Sequence, residues 1–403
     1  MKKKFISSFL TISSTLLAYE KCSTPNPSSP TKHANYECYT PSYNELQGNW
    51  GPFLSVDFLY WYARETNLSY GLTVVGVSQR PVQSFPIALP DVYSLPQTYH
   101  DMGINWKPGV RLGIGWEMPQ DGWDLNLQWT YFYSARKDSA KVPPHVTPYD
   151  TVSIPGETLL LNPWVDMAVW ETPFFDTISA QWNLSYNSID LELGKKAWFS
   201  PHFAFRPYVG MRGAWTKTQW ELSSTFGPFN KPYFNFMYEE SYDLFTNHFW
   251  GVGPLGGVQP EWHFRSNFSL FGNFNTAFLW GEFKSQKKLD YLVTAVESQT
   301  GTFRYLEQEA NKTRPRSQVS IQAILDMGIG LRWEEYWKSN RFKTSVDLGW
   351  EQHIWFDSGA YTKNTSQGGT PSDPDAQVYT RTYFDEVTNL VFGGLVAKAR
   401  FDF

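Results

Sequence analysis

The sequence predicts an all-β chain that folds as a transmembrane antiparallel β-barrel of about ten strands, and three observations carry that prediction. Segments along the whole chain alternate apolar and polar residues with period two, and their charges keep to one face. Aromatic residues make up 18% of the 403 residues while mean hydropathy is only -0.42, a combination that suits two interfacial aromatic belts around a polar interior. Short connections alternate with long ones, as periplasmic turns alternate with extracellular loops in outer-membrane barrels. A helical span needs a run of about 18 apolar residues, and the sequence has none.

The first 18 residues read as a secretory signal peptide. Met1-Lys2-Lys3-Lys4 is a basic start, Phe5 to Leu17 an apolar stretch, and Leu16-Leu17-Ala18 a cleavage site after Ala18. Tyr19-Glu20-Lys21 lacks the small residues that precede a lipidated cysteine, so export without lipidation is expected. Residues 19–50 form an irregular, Pro/Ser-rich periplasmic segment. It holds both cysteines, Cys22 and Cys38, which in an oxidising periplasm can close a small loop or cross-link to a neighbour. The barrel is expected over residues 51–403.

Its first strand lies near 53 to 64, with Leu54, Val56, Phe58, Tyr60 and Tyr62 opposing Ser55, Asp57 and Trp61. Next, Trp106, Pro108, Val110, Leu112, Ile114 and Trp116 alternate with Lys107, Gly109, Arg111, Gly113, Gly115 and Glu117. The turn Pro119-Gln120-Asp121-Gly122 leads into Trp123, Leu125, Leu127, Trp129 and Tyr131, which alternate with Asp124, Asn126, Gln128 and Thr130. Further pairs follow at about 176 to 194 with 203 to 217, 246 to 261 with 268 to 282, and 319 to 333 with 342 to 351. The closing strand, near 387 to 403, places Leu395, Ala397, Ala399, Phe401 and Phe403 on one face and Lys398, Arg400 and Asp402 on the other. Phe401 and the terminal Phe403 match the C-terminal signal by which such barrels engage the barrel-assembly machinery.

Long connections are expected at roughly 65 to 104, 134 to 175, 218 to 245, 283 to 316 and 357 to 386. Hairpins hidden there, around Ser69 to Val77 or Asp290 to Tyr305, would raise the count to twelve or more. Trp106 and Trp116 lie ten residues apart, within the 9 to 11 that a tilted strand needs to cross a bilayer.

Charges sort by face. Asp57, Lys107, Arg111, Glu117, Asp124, Arg206, Arg212, Asp326, Arg332, Lys343, Asp347, Lys398, Arg400 and Asp402 all take the polar face, because a Lys or Arg facing lipid near the midplane costs about 2 to 4 kcal/mol. These residues either line a water-filled passage or pack a narrow barrel with salt bridges. A net charge of -5 argues against a nucleic-acid partner. Gly251-Val252-Gly253-Pro254-Leu255-Gly256 fits a dinucleotide-binding pattern, yet Pro254 leaves no helix to complete it, and glycines that ease barrel curvature explain it better. His100, His145, His248 and His353 with loop acids such as Asp101 or Asp357 are the one catalytic constellation to weigh, a rim site resembling that of an outer-membrane protease. Histidines beside loop carboxylates are commonly solvated surface, so no enzyme activity and no cofactor or metal are expected.

FLSVDFLYWYARETNLSYG from Phe53, KPGVRLGIGWEMPQDGWDLNLQWTYF from Lys107 and DLELGKKAWFSPHFAFRPYVGMRGAW from Asp190 resemble the major-outer-membrane-protein-like family of Legionella and environmental chlamydia-like bacteria. The resemblance implies an abundant outer-membrane barrel with porin-like activity and disulfide linkage in the envelope. Two cysteines depart from the cysteine-rich chlamydial relatives and do not support an extensive network. The expected function is a porin for passive diffusion of small hydrophilic solutes or ions, with outer-membrane lipid and a homo-oligomer as the other partners. The alternative is a closed-barrel adhesin or structural envelope protein displaying long surface loops.

Overall fold

The computed structural model describes residues 51–75, 98–118, 123–143, 158–164, 174–229, 234–298, 303–338, 341–368 and 379–403, all strands and connections without a helix. The signal peptide, Cys22 and Cys38 lie outside the described residues. The strands are β1 (Pro52–Glu65), β2 (Ser69–Val75), β3 (Thr98–Asp101), β4 (Trp106–Glu117), β5 (Trp123–Lys141), β6 (Thr158–Leu161), β7 (Phe174–Phe175), β8 (Thr177–Lys195), β9 (Ala197–Ser200), β10 (Phe203–Phe229), β11 (Phe234–Arg265), β12 (Phe268–Ser298), β13 (Phe303–Trp337), β14 (Phe342–Gly368) and β15 (Tyr379–Asp402).

Ten of them close a ring in the order β1-β4-β5-β8-β10-β11-β12-β13-β14-β15, each antiparallel to its neighbours. Closure is made by the last strand, whose residues 390–402 pair with β1 from Glu65↔Leu390 to Phe53↔Asp402. All ten predicted strands are present, and the hidden hairpin at Ser69 adds a strand outside the ring rather than an eleventh stave. β9 pairs antiparallel with the start of β10, while β3-β2-β6-β7 form a separate small sheet.

The long connections differ from expectation. Strand pairing continues through most of 218–245, 283–316 and 357–386, so that β12 and β13 stay in register out to Ser298↔Phe303. Beyond the lipid the outer face of these strands turns polar while the inner face buries Trp220, Phe245 and Tyr361, so the lipid-facing apolar stripe ends although the backbone ladder does not. The ring also splits there. β13–β14 pairing stops at Ile324↔Trp355, just before a bulge in which Asp357 takes φ 52, and β1–β4 pairing stops at Tyr62↔Trp106.

The outer face is apolar and exposed between two aromatic belts. Trp116, Trp262, Phe268, Trp337 and Phe403 mark the periplasmic belt, and Tyr60, Trp215, Trp250, Trp280 and Trp350 the outer one. On β4 the belts are ten residues apart, about 33 Å along the strand and roughly 25 Å along an axis tilted by about 40°. Gly394, at φ 148, leaves the room that the Trp106 ring fills beside the Tyr60 carbonyl in the outer belt.

Candidate functional site: the barrel lumen

The inner face stacks three layers, and strand parity puts each residue there. Nearest the periplasm is a cavity of about 450 Å³ whose wall includes Glu117, Asp124, Arg206, Arg332, Lys343, Asp347, Lys398 and Arg400. Its charges other than Lys398 pair with one another. Arg332 holds Asp347 through Nε and Nη2 at 2.8 and 2.9 Å and donates to Glu261 at 3.2 Å. Arg206 grips Asp124, with Nε at 2.7 Å from Oδ2, and reaches Glu192 at 3.4 Å. Arg400 bonds both Glu117 and Asp402 while its guanidinium lies 3.6 Å from the Phe53 ring centroid. Lys343 stands 3.6 Å from Glu334 and 3.9 Å from Asp402. Lys398 lies in register between Asp57 and Asp347.

Above the cavity sits a buried ionic layer. Arg111 donates to Asp57 at 3.1 Å and to both oxygens of Glu351 at 3.0 and 2.8 Å. Arg212 clamps Asp190 with two bonds of 2.7 Å and reaches Asp326 at 2.6 Å. His353 joins the two groups, with Nδ1 2.8 Å from Asp326 and Nε2 3.5 Å from Glu351. Such charges tolerate burial only because each is paired.

The third layer is aromatic. Trp61, Phe132, Tyr186, Phe249, Trp355 and Phe392 come from six strands, and none exposes more than 4% of its surface. Phe392 lies 4.7 Å from Tyr186, 5.6 Å from Trp61 and 6.3 Å from Phe132 between ring centroids. The His353 ring stacks under it at 4.9 Å, so the ionic and aromatic layers are in direct contact.

Beyond the membrane the segment 158–164 closes the outer mouth. Its Trp164 packs edge-on against Trp220, at 4.6 Å, and near Phe245 and Tyr361. Lys287 donates to the Trp164 carbonyl at 2.7 Å, Asn162 to the Ser224 hydroxyl at 2.7 Å, and the Trp164 indole to the Ser69 carbonyl at 2.8 Å. Glu65, one residue above the exposed Arg64, is buried in this cluster. Tyr361 and Thr388 donate to its Oε2, while Oε1 has no hydrogen-bond partner among the described residues. Burial pushes its carboxyl up to about 7.

All fourteen residues expected on the polar face lie on the inner side, and all but Lys107 and Lys398 make a charged contact within 4 Å with another inner-face residue. Lys107 is half-buried, opposite Trp61 in register. Sequence reading missed the aromatic layer. Its signal was available: Trp61 shares parity with Asp57, and Phe132 with Asp124 and Gln128, so both had to point inward. Phe401 and Phe403 sit on the outer face, 4.9 Å apart edge-on, and the Phe403 amide donates to the Pro52 carbonyl at 3.0 Å.

Among the described residues the histidines weighed for a rim site do not converge. His100 contacts Thr73 in the small sheet, His248 points outward, His353 is inside the ring, and His145 lies outside the described residues. Among the described residues, Glu261, His263 and Glu334 bring donor atoms within 4.8 Å of one another, the grouping nearest to a metal set. Lys196 at 2.8 Å and Arg332 already neutralise Glu261, and Lys343 neutralises Glu334, so a divalent cation would meet three positive charges. In the glycine-rich run, Gly257 leaves room for the Tyr208 ring inside the barrel, a packing role rather than a phosphate-binding one.

A family model described as the Legionella pneumophila major outer membrane protein precursor matches residues 45–401. No curated protein matches the chain. Among solved structures, the outer membrane protease OmpT from Escherichia coli is similar over 88% of this chain and 97% of its own, at 11% identity and a TM-score of 0.38. A Pseudomonas aeruginosa FadL homologue aligns over 87% and 90% at 7% identity and 0.26. The P. putida toluene transporter TodX aligns over 87% and 89% at 9% identity and 0.24. At such values these likenesses carry no functional inference.

Proposed function

The chain belongs to the Legionella pneumophila major outer membrane protein family, and from that premise we propose that this outer-membrane barrel works closed, as a structural envelope protein that holds its outer hairpins and small sheet at the cell surface. The aromatic layer carries this reading. Opening a water path past Trp61, Phe132, Trp355 and Phe392 would expose four fully buried aromatic side chains, at about 1.5 to 3 kcal/mol each. An opening cost near 10 kcal/mol makes spontaneous opening negligible. The charged residues then fill and stiffen the barrel rather than select solutes, and the dispersed histidines support a non-catalytic role.

A porin is the second reading, favoured by one observation. The periplasmic cavity is lined by charges of both signs, and the outer mouth is closed by a segment separate from the ring. Displacing that segment and the aromatic layer would give small hydrophilic solutes a path.

Swelling of proteoliposomes in a pentose solution separates the two. Wild-type protein is expected to leave vesicles impermeable, and a Trp61→Ala/Phe392→Ala variant that also lacks residues 158–164 to make them leak. Swelling with wild-type protein would establish the porin reading. Surface binding lost when the β12–β13 hairpin is shortened, in vesicles that stay impermeable, would support display of the hairpins.

A further inference from the structure

Five neighbouring strands align a row of basic and hydroxyl side chains on the outer face. Ser185 of β8 pairs with Lys217 of β10, Lys217 with His248 of β11, His248 with Lys284 of β12, and Lys284 with Ser317 of β13. The row beneath, Asn187-Trp215-Trp250-Glu282-Val319, is in the same register and contains two tryptophans of the outer belt. Below that, Trp280 and Ile321 face each other across β12 and β13, exposed by 70% and 72%. The basic row is therefore two residues above the belt, about 5 Å along the barrel axis, at the level of lipid headgroups.

Three basic groups directly opposite one another on adjacent strands repel. One anion answers them in part: Glu282 takes Lys284 at 3.0 Å, but it also accepts from Ser317 at 2.9 Å and from the Trp250 indole at 3.2 Å. Among the described residues Lys217 and His248 have no ion-pair partner. Burial first, then Lys217 and Lys284, hold the His248 imidazole below its ordinary range.

We propose that Lys217, His248 and Lys284, with Ser185 and Ser317 at the flanks, bind the phosphate of an anionic outer-leaflet lipid whose acyl chains lie against Trp280, Ile321 and the belt below. Strands spaced about 4.8 Å apart put the outer two cations about 10 Å from each other, so a phosphate above His248 lies within reach of both flexible lysines. The hydroxyls offer further donors. A lipid rather than a soluble anion is favoured because the cations lie directly over the exposed apolar surface that acyl chains cover.

Native mass spectrometry of the folded full-length protein in detergent tests this with three probes: a bis-phosphorylated acylated glucosamine disaccharide, its dephosphorylated form, and inorganic phosphate. The phosphorylated lipid is expected to be retained on the order of tenfold better than the dephosphorylated one, and K217Q/K284Q to remove that preference. K217R/K284R should keep it. As the pH falls from 8 to 5, retention by wild-type protein should rise relative to retention by His248→Gln, because titration of the lipid phosphate is common to both. The heat-modifiable gel shift of folded barrels confirms that each variant is folded. Equal retention of the two lipids, or a folded K217Q/K284Q that still prefers the phosphorylated form, would overturn the proposal. Competition by millimolar inorganic phosphate as strong as by the lipid would overturn its lipid part.

Discussion

Arg212, itself buried, holds two buried carboxylates at once, Asp190 and Asp326. Replacing it with alanine leaves both acids without their cation, and a loss of about 3 to 5 kcal/mol is expected in urea unfolding of the lipid-reconstituted protein. Replacing Arg212, Asp190 and Asp326 together by Met or Leu is expected to cost much less, since a buried ion-pair network contributes little net stability once its desolvation is counted. Glu65 behaves oppositely, as a buried acid among aromatic rings with Arg136 as its cationic neighbour. Its carboxyl, raised from 4.5 to about 7, stabilises the fold in its protonated form. That stability is intact below pH 4.5 and declines as the pH rises through 7, by roughly 3 kcal/mol in all. Thermal unfolding followed between pH 4.5 and 8 should show the decline in wild-type protein and lose most of it in Glu65→Gln.

At the scale of elements, the segment 158–164 and the closing strand do different work. Trp164 fills a cluster with Trp220, Phe245 and Tyr361, so Trp164→Ala is expected to cost about 3 to 5 kcal/mol locally. The ring should survive it, because the ten-strand ladder does not run through that segment. Protease cleavage near 158–164 with an intact heat-modifiable barrel is the expected result. In β15, Gly394→Ala places a side chain at φ 148 against the Trp106 ring and the Tyr60 carbonyl, and slower barrel assembly in folding assays should follow. The ten spanning strands were legible because Lys107, Arg111 and their counterparts could not face lipid, which fixed the parity of every strand. The outer extensions of β10 to β15 were not. Above Trp280 the outer face meets water, so Lys284, Gln286 and Lys288 replace the apolar stripe, while the inner face mixes Phe283, Ser285, Lys287 and Leu289 and gives no clean alternation to read.

For the whole molecule, parity alone places a side chain inside the barrel but does not say how much of the lumen it fills. Asp57 and Trp61 share one face of β1, and only the packing of Trp61 against Phe132, His353 and Phe392 distinguishes a lined channel from a filled one. Ten strands enclose a narrow interior, and inward aromatics from six of them complete its closure. Single-molecule conductance in a planar bilayer tests that closure most directly: wild-type protein inserted at 1 M KCl should give no stepwise current, whereas Trp61→Ala/Phe392→Ala in a chain lacking residues 158–164 should give steps. Regular ohmic steps from the wild-type barrel would contradict the closed lumen.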